Sequence, residues 1–134
     1  MVETLETSQT WSEIGALHTA VGSAIRDSLA GQGTPGLAFC HLSHAYADGA
    51  SLYFTFISRA RQGEEIEQWQ EVKRAASEAI VANGGTITHH HAVGRDHRPW
   101  YDRQRPAPFA AALRAAKAEL DPSGMLNPGV LIDP

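Results

Sequence analysis

The chain has 134 residues, a formal net charge of −4 with histidine neutral, and 43% hydrophobic and 19% charged residues. That composition suits one domain with one modest core, and the acidic balance argues against a general nucleic-acid binder, which carries a basic face. No apolar run reaches the ~18 residues that span a bilayer, and a single cysteine, Cys40, excludes an internal disulfide or a multi-cysteine zinc site. The first residues, MVETLETSQTW, lack a basic-then-apolar secretory pattern, and the last, VLIDP, carry no prenylation or peroxisomal signal. A reducing, cytoplasmic setting is expected.

In chain order, Thr10-Trp11-Ser12-Glu13 matches a capping box. It predicts a helix whose apolar positions are Ile14, Leu17, Val21, Ile25 and Leu29, ended by the glycines around Pro35. Residues 37–44 read as a strand, 45–49 as a turn with Asp48-Gly49 as its tight element, and 50–57 as a second strand of period two. Leu52, Phe54 and Phe56 share one face of that strand, and Ser51, Tyr53 and Thr55 share the other. The pair forms an antiparallel hairpin.

A second helix is predicted from Gly63-Glu64-Glu65, with Ile66, Trp69, the Lys73 stem, Ala76 and Ile80 on one face and Asn83-Gly84 as its C-terminal cap. Residues 86–88 read as a third short strand, and 95–108 as an irregular segment rich in Arg and Pro. Pro106 and Pro108 start a third helix with Phe109, Ala112, Leu113, Ala116 and Leu120 on its apolar face, and Asp121-Pro122 stops it before an extended tail. The expected fold class is α+β: a small antiparallel sheet with helices packed on one face. Three strands leave an exposed edge that invites a partner domain or a second copy of the chain, so a homodimer is among the expectations.

The densest chemistry lies in GGTITHHHAVG, because four of the seven histidines fall between positions 89 and 97. Histidine has an unperturbed pKa of ~6.5, so it can move protons, donate to anions or bind metal near neutrality. In an extended backbone His89 and His91 point together and His90 away, a geometry suited to a metal or to an anionic substrate. His41 and His44 fall on opposite strand faces unless a bulge intervenes. Tyr53, on the polar face, is a candidate proton donor or acceptor. Arg95, Arg98, Arg103 and Arg105 follow the histidines and suit a carboxylate or phosphate. Cys40 reads as a small buried apolar residue.

Three stretches, SHAYADGASLYFTF, NGGTITHHHAVG and LDPSGMLNPGVL, together resemble the C-terminal part of FAD-linked oxidases of the vanillyl-alcohol oxidase type. Within that superfamily they are most similar to alkyldihydroxyacetonephosphate synthase and its bacterial relatives. The resemblance implies a cap-domain fragment: residues 1–105 as the later part of a substrate domain, and 106–134 as a helix and tail returning to a separate N-terminal FAD-binding domain. It implies FAD as cofactor, although no Gly-rich diphosphate loop follows a strand in this chain.

The same resemblance assigns catalytic roles to Tyr53, His89, His90 and His91 and contact with the flavin to His91 and Asn127, and of the arginines that follow the histidines Arg95 is the candidate for substrate binding. It assigns no resident metal. The implied activity is ether-lipid precursor synthesis, an exchange of acyl for alkyl by way of a flavin adduct on a phosphate- or carboxylate-bearing small molecule. The fragment alone is expected to be inactive. Two alternatives remain: an FAD-dependent oxidase or dehydrogenase of a 2-hydroxy acid, and a non-catalytic module that binds metal through His89 and His91. In related 2-hydroxyacid dehydrogenases the loop reads GGTISGEHGIG. Ala92 stands where these families usually carry glycine, and a left-handed backbone there would cost alanine about 1 kcal/mol.

Overall fold

A computed structural model describes residues 1–133. The elements are β1 (Val2–Thr10), α1 (Ile14–Gly31), β2 (Leu37–Ala45), β3 (Gly49–Ile57), α2 (Glu65–Ala82), α3 (Arg98–Gln104) and α4 (Ala107–Leu120). They fall into two compact units, Met1–His91 and the residues from Ala92 onward.

In the first unit the sheet order is β1-β3-β2, antiparallel throughout. The hairpin of β2 and β3 forms as its alternation and the Asp48-Gly49 turn require. The third strand does not come from residues 86–88. It is β1, which pairs with β3 along its length from Val2 opposite Ile57 to Thr10 opposite Gly49. Its segment VETLETSQT contains Leu5 as its one strong interior apolar residue, so alternation alone marks it weakly. Residues 86–88 instead run beside the outer edge of β1, where Thr86 N donates to Ser8 O (3.2 Å) and His89 N to Glu6 O (3.1 Å). These two backbone bonds, with Ser8 N donating to Thr86 Oγ1 (3.0 Å), tie the segment to that edge without making a ladder.

Leu17, Val21, Ile25 and Leu29 of α1 pack with Val72, Ala76 and Ile80 of α2 and with Leu5, Leu52, Phe54 and Phe56 of the sheet. Each of these side chains larger than alanine contributes roughly 1.5–3 kcal/mol when fully buried. The predicted capping box is not made: the N-cap position is Glu13, with no side-chain cap bond. Thr10 is committed to the end of β1 opposite Gly49, three residues before the N-cap. The face of α2 is also rotated from the predicted one. Val72, Gln68 and Ser77 are buried while Ile66 is exposed. Buried Gln68 is satisfied, donating to Thr34 Oγ1 (2.8 Å) and Arg59 O (2.9 Å) and accepting from Arg61 N (2.9 Å).

In the second unit, part of the segment expected to be irregular forms α3, with a proline in its first turn and an Arg98–Asp102 ion pair at 2.8 Å one turn apart. α4 starts as predicted, but its apolar face is largely open, with Phe109 and Leu120 exposed. The arginines turn inward on the chain end. Arg95 donates to Pro128 O (2.9 Å), Arg98 to Asp133 (2.8 Å) and Arg105 to Leu131 O (3.2 Å). Asp121 accepts from Met125 N (2.9 Å), Leu126 N (3.0 Å) and Lys117 (2.8 Å), fixing the turn after α4. The Lys117 hydrogen bond, with those backbone amides, holds its carboxyl below the ordinary value.

Candidate functional site

The candidate site occupies the face of the sheet opposite α1 and α2. With Leu52, Phe54 and Phe56 committed to the core, alternation sends Ser51, Tyr53 and Thr55 to the other side. The register sets Glu6 and His41 on either side of Tyr53, and Ser8 beside Ser51. The His41 ring stacks on Tyr53 at 5.2 Å between centroids, and His91 meets the same ring edge-on at 5.6 Å.

A bulge in β2 adds a second set of groups to this face. The register shifts between Leu42 and His44, so Ser43 is an extra residue. Strict alternation would send His44 to the core side. The bulge brings both Ser43 and His44 onto Ser51: the two serine hydroxyls lie 2.6 Å apart, and His44 Nδ1 lies 3.3 Å from Ser51 Oγ. Behind them is Glu6, only 3% exposed. Its Oε1 accepts a short hydrogen bond from Ser43 and lies 3.4 Å from His44 Nδ1. Its Oε2 lies 3.7 Å from His91 Nε2.

The triple histidine departs from the expected extended geometry. His90 has φ +58°, in the left-handed region, and Ala92 is not among the residues of positive φ. That reversal breaks the alternation: His89 and His90 converge, and His91 turns to Glu6 and Tyr53. The Tyr46 hydroxyl bridges the converging pair, 3.0 Å from His89 Nε2 and 3.1 Å from His90 Nε2. His44 closes the group, its ring centroid 4.3 Å from that of His90. One nitrogen from each of His44, His89 and His90 lies within 4.8 Å of the others, so the pairing expected of His89 with His91 belongs to this trio. Thr88 Oγ1 donates to His91 O (3.0 Å) and holds the turn.

Burial alone would push the Glu6 carboxyl up. The hydrogen bonds of Ser43, Ser51 and His44, together with the nearby His89, overcome this and hold it below the ordinary value. The pKa of His89 is lowered by burial and by its neighbours His90 and His44, against the attraction of Glu6. The face therefore presents a carboxylate and a neutral imidazole near pH 7, with Tyr53 between two other rings. Such a set can exchange protons with a bound small molecule and orient its polar groups. A cleft of about 260 Å³, lined in part by Ser8, Thr10, Tyr46, Thr86 and His89, opens beside it.

Of the residues singled out in the sequence, Tyr53, His89, His90 and His91 are all on this face. Arg95 and Asn127 belong to the second unit, where Arg95 holds Pro128 O and Asn127 is exposed at φ +46°. Glu6, Ser43, Tyr46 and Ser51 were not foreseen as site residues. Ser43 and Tyr46 lie within SHAYADG, whereas Glu6 sits in a Thr-rich stretch whose only cue is weak alternation.

Residues 1–131 match the family described as FAD linked oxidases, C-terminal domain. Over 131 residues the chain is 30% identical to alkyldihydroxyacetonephosphate synthase of Dictyostelium discoideum, covering 98% of this chain and 21% of that one. Against the synthase of Caenorhabditis elegans the identity is 35% over 134 residues, covering 98% and 22%. A solved structure of alkyldihydroxyacetonephosphate synthase superposes with a TM-score of 0.64 at 22% identity, covering 90% of this chain and 19% of that one, which shows the shared fold. The chain thus spans about a fifth of the length of these curated relatives. No helix among the described residues is long and apolar enough to cross a membrane. On the full-length family match and these identities, the chain belongs to the C-terminal domain family of the FAD-linked oxidases.

Proposed function

We propose that this chain is the C-terminal cap segment of an FAD-dependent enzyme of the alkyldihydroxyacetonephosphate synthase kind, which exchanges the acyl group of an acylated dihydroxyacetone phosphate for an alkyl group. The observation that carries this reading is Tyr53, flanked by His41 and His91 and backed by buried Glu6, on a chain 30% identical to such a synthase over 131 residues. In this reading residues 1–105 belong to the substrate domain and 106–134 return to an FAD-binding domain supplied by the rest of a longer protein. The setting is cytoplasmic, and any homodimer forms through that longer chain.

The described residues fit the edge of an FAD rather than the whole of it. His91 is half-buried on the open face, and Asn127 is exposed in a left-handed turn. Neither unit presents a glycine-rich strand-to-helix cradle for a diphosphate. When bound, FAD supplies the reactive ring system on which the exchange takes place. Tyr53 Oη gives its proton to the departing carboxylate oxygen and takes one back from the entering alcohol. His89, neutral near pH 7, and His90 orient the polar end of the substrate, and His91 orients Tyr53. Arg95, which donates to Pro128 O in this structure, is the candidate for the phosphate.

The test is an anaerobic visible spectrum of the longest native polypeptide carrying this sequence, before and after addition of a panel of 2-hydroxy acids. Flavin that binds without bleaching, with acyl-for-alkyl exchange detected, supports the synthase-type reaction. Bleaching by a 2-hydroxy acid replaces it with the dehydrogenase reading. Absence of flavin leaves a non-catalytic module, for which the nitrogens of His44, His89 and His90 offer the binding place.

A further inference from the structure

The two histidine groups of the open face share one buried group that neither the family resemblance nor the sequence pattern singles out. We propose that Glu6 is the positioning residue of this site, its two carboxylate oxygens orienting His91 beneath Tyr53 and His44 against the His89–His90 pair. The proposal rests on the reading of this face as an active site.

The geometry comes from three elements. Glu6 lies on β1, 3% exposed. From β2, Ser43 donates to its Oε1 and His44 Nδ1 lies 3.4 Å from the same oxygen. From β3, Ser51 shares the Ser43 hydroxyl at 2.6 Å, and Tyr53 is the register partner of Glu6. From the loop after α2, His91 Nε2 lies 3.7 Å from Oε2, and His89 N donates to the Glu6 backbone carbonyl at 3.1 Å.

An ionised carboxylate only accepts hydrogen bonds. A ring nitrogen that closes on it must carry a proton, so the carboxylate favours the proton on Nε2 of His91 and on Nδ1 of His44 and leaves the opposite nitrogens as acceptors when the rings are neutral. A buried acid that sets the tautomer and angle of an imidazole is a recurring device in proton-transfer sites. The distances of 3.4 and 3.7 Å exceed an ideal hydrogen bond and leave room for tightening when substrate binds.

The experiment uses the full-length enzyme that carries this sequence. Glu6→Gln keeps the shape and an acceptor for Ser43 but removes the charge. Turnover should fall on the order of 10²-fold, with KM and flavin absorbance close to wild type and a lower melting temperature, because the ionised carboxylate contributes to stability. Glu6→Asp, which keeps the charge, should recover part of the loss. Glu6→Gln turning over like wild type overturns the proposal, because a purely structural acceptor survives that change.

A double-mutant cycle with His91→Gln adds an independent readout. Losses that fail to add support action through His91, and fully additive losses overturn it. If Glu6→Gln does not fold, the cycle is run with Glu6→Asp. The wild-type reaction is measured first. If it bleaches flavin with a 2-hydroxy acid instead of exchanging acyl for alkyl, the synthase reading fails, and Glu6 is then tested on the bleaching rate.

Discussion

The hydroxyls of Ser43 and Ser51 meet at 2.6 Å because β2 carries one residue more than β3 between Leu42 and His44. That extra residue puts two consecutive side chains, Ser43 and His44, on the same face and gives Glu6 its strongest donor. Ser43→Ala should destabilise the fold by about 1–3 kcal/mol at pH 7, because the lost bond is to an ionised and buried group. The difference should narrow in acid, as Glu6 becomes protonated. Urea melts of the two proteins at pH 7 and pH 3 measure it, and equal stability at pH 7 would show that Ser51 alone suffices.

Tyr53→Phe keeps the stacked ring against His41 and removes only Oη. In the full enzyme kcat should fall on the order of 10²–10⁴-fold with little change in KM, as expected for a lost proton-transfer group. Steady-state kinetics with unchanged flavin content checks it. A fall confined to KM would assign Tyr53 to binding instead.

Tyr46 is the only described hydroxyl within 3.1 Å of both His89 and His90 nitrogens. Tyr46→Phe should leave the melting temperature nearly unchanged, since the ring is partly exposed. Loss of the bridge should free both imidazoles and lower turnover at least about tenfold. Full activity in this variant would show that the His89–His90 geometry is held by the loop backbone alone.

Acid should destabilise the fold in two stages. The folded pKa of His89 lies below its ordinary 6.5, so the unfolded chain takes up that proton first and stability falls as pH drops below 6.5. The folded pKa of Glu6 lies below its ordinary 4.5, so its contribution is present above 4.5 and is lost as pH falls through the folded value. Chemical denaturation between pH 8 and pH 3 should show both slopes, and His89→Gln should abolish the upper one.

A Cβ on Gly85 would lie 2.8 Å from Thr7 Oγ1 and 2.9 Å from a Leu17 methyl carbon, both fully buried neighbours. Gly85→Ala should therefore cost about 1–3 kcal/mol, as overpacking does. It should also push the histidine loop away from β1, at the expense of the Thr86–Ser8 bond. Thermal melts report the first effect and turnover the second. A variant as stable as wild type would mean that the loop yields without strain.

Much of this protein was legible in order of sequence distance. The spacing of Leu17, Val21, Ile25 and Leu29 and the alternation of Leu52, Phe54 and Phe56 each reflect one segment burying one face, so α1 and β3 follow from local pattern. Tyr53 was assigned to the polar face by the same alternation, and the motifs around the three histidines marked the family. The rotated face of α2 shows the limit. Ile66 and Val72 both fit a helical stripe, and only the loop that Gln68 pins at Arg59 and Arg61 decides which is buried.

The sequence by itself determined α1, α2 and α4, the hairpin, the family and, through the family motifs, the joint presence of Tyr53 and the three histidines. Tertiary structure alone decided that VETLETSQT is a strand, since its pairing with β3 supplies the energy its own pattern lacks. It decided which histidines meet, because the sign of φ at His90 and the extra residue at Ser43 redirect side chains that alternation would place elsewhere. It also made Glu6 a buried hub. A carboxylate enters an interior only where donors from distant strands and loops converge on it, and no local spacing records that convergence.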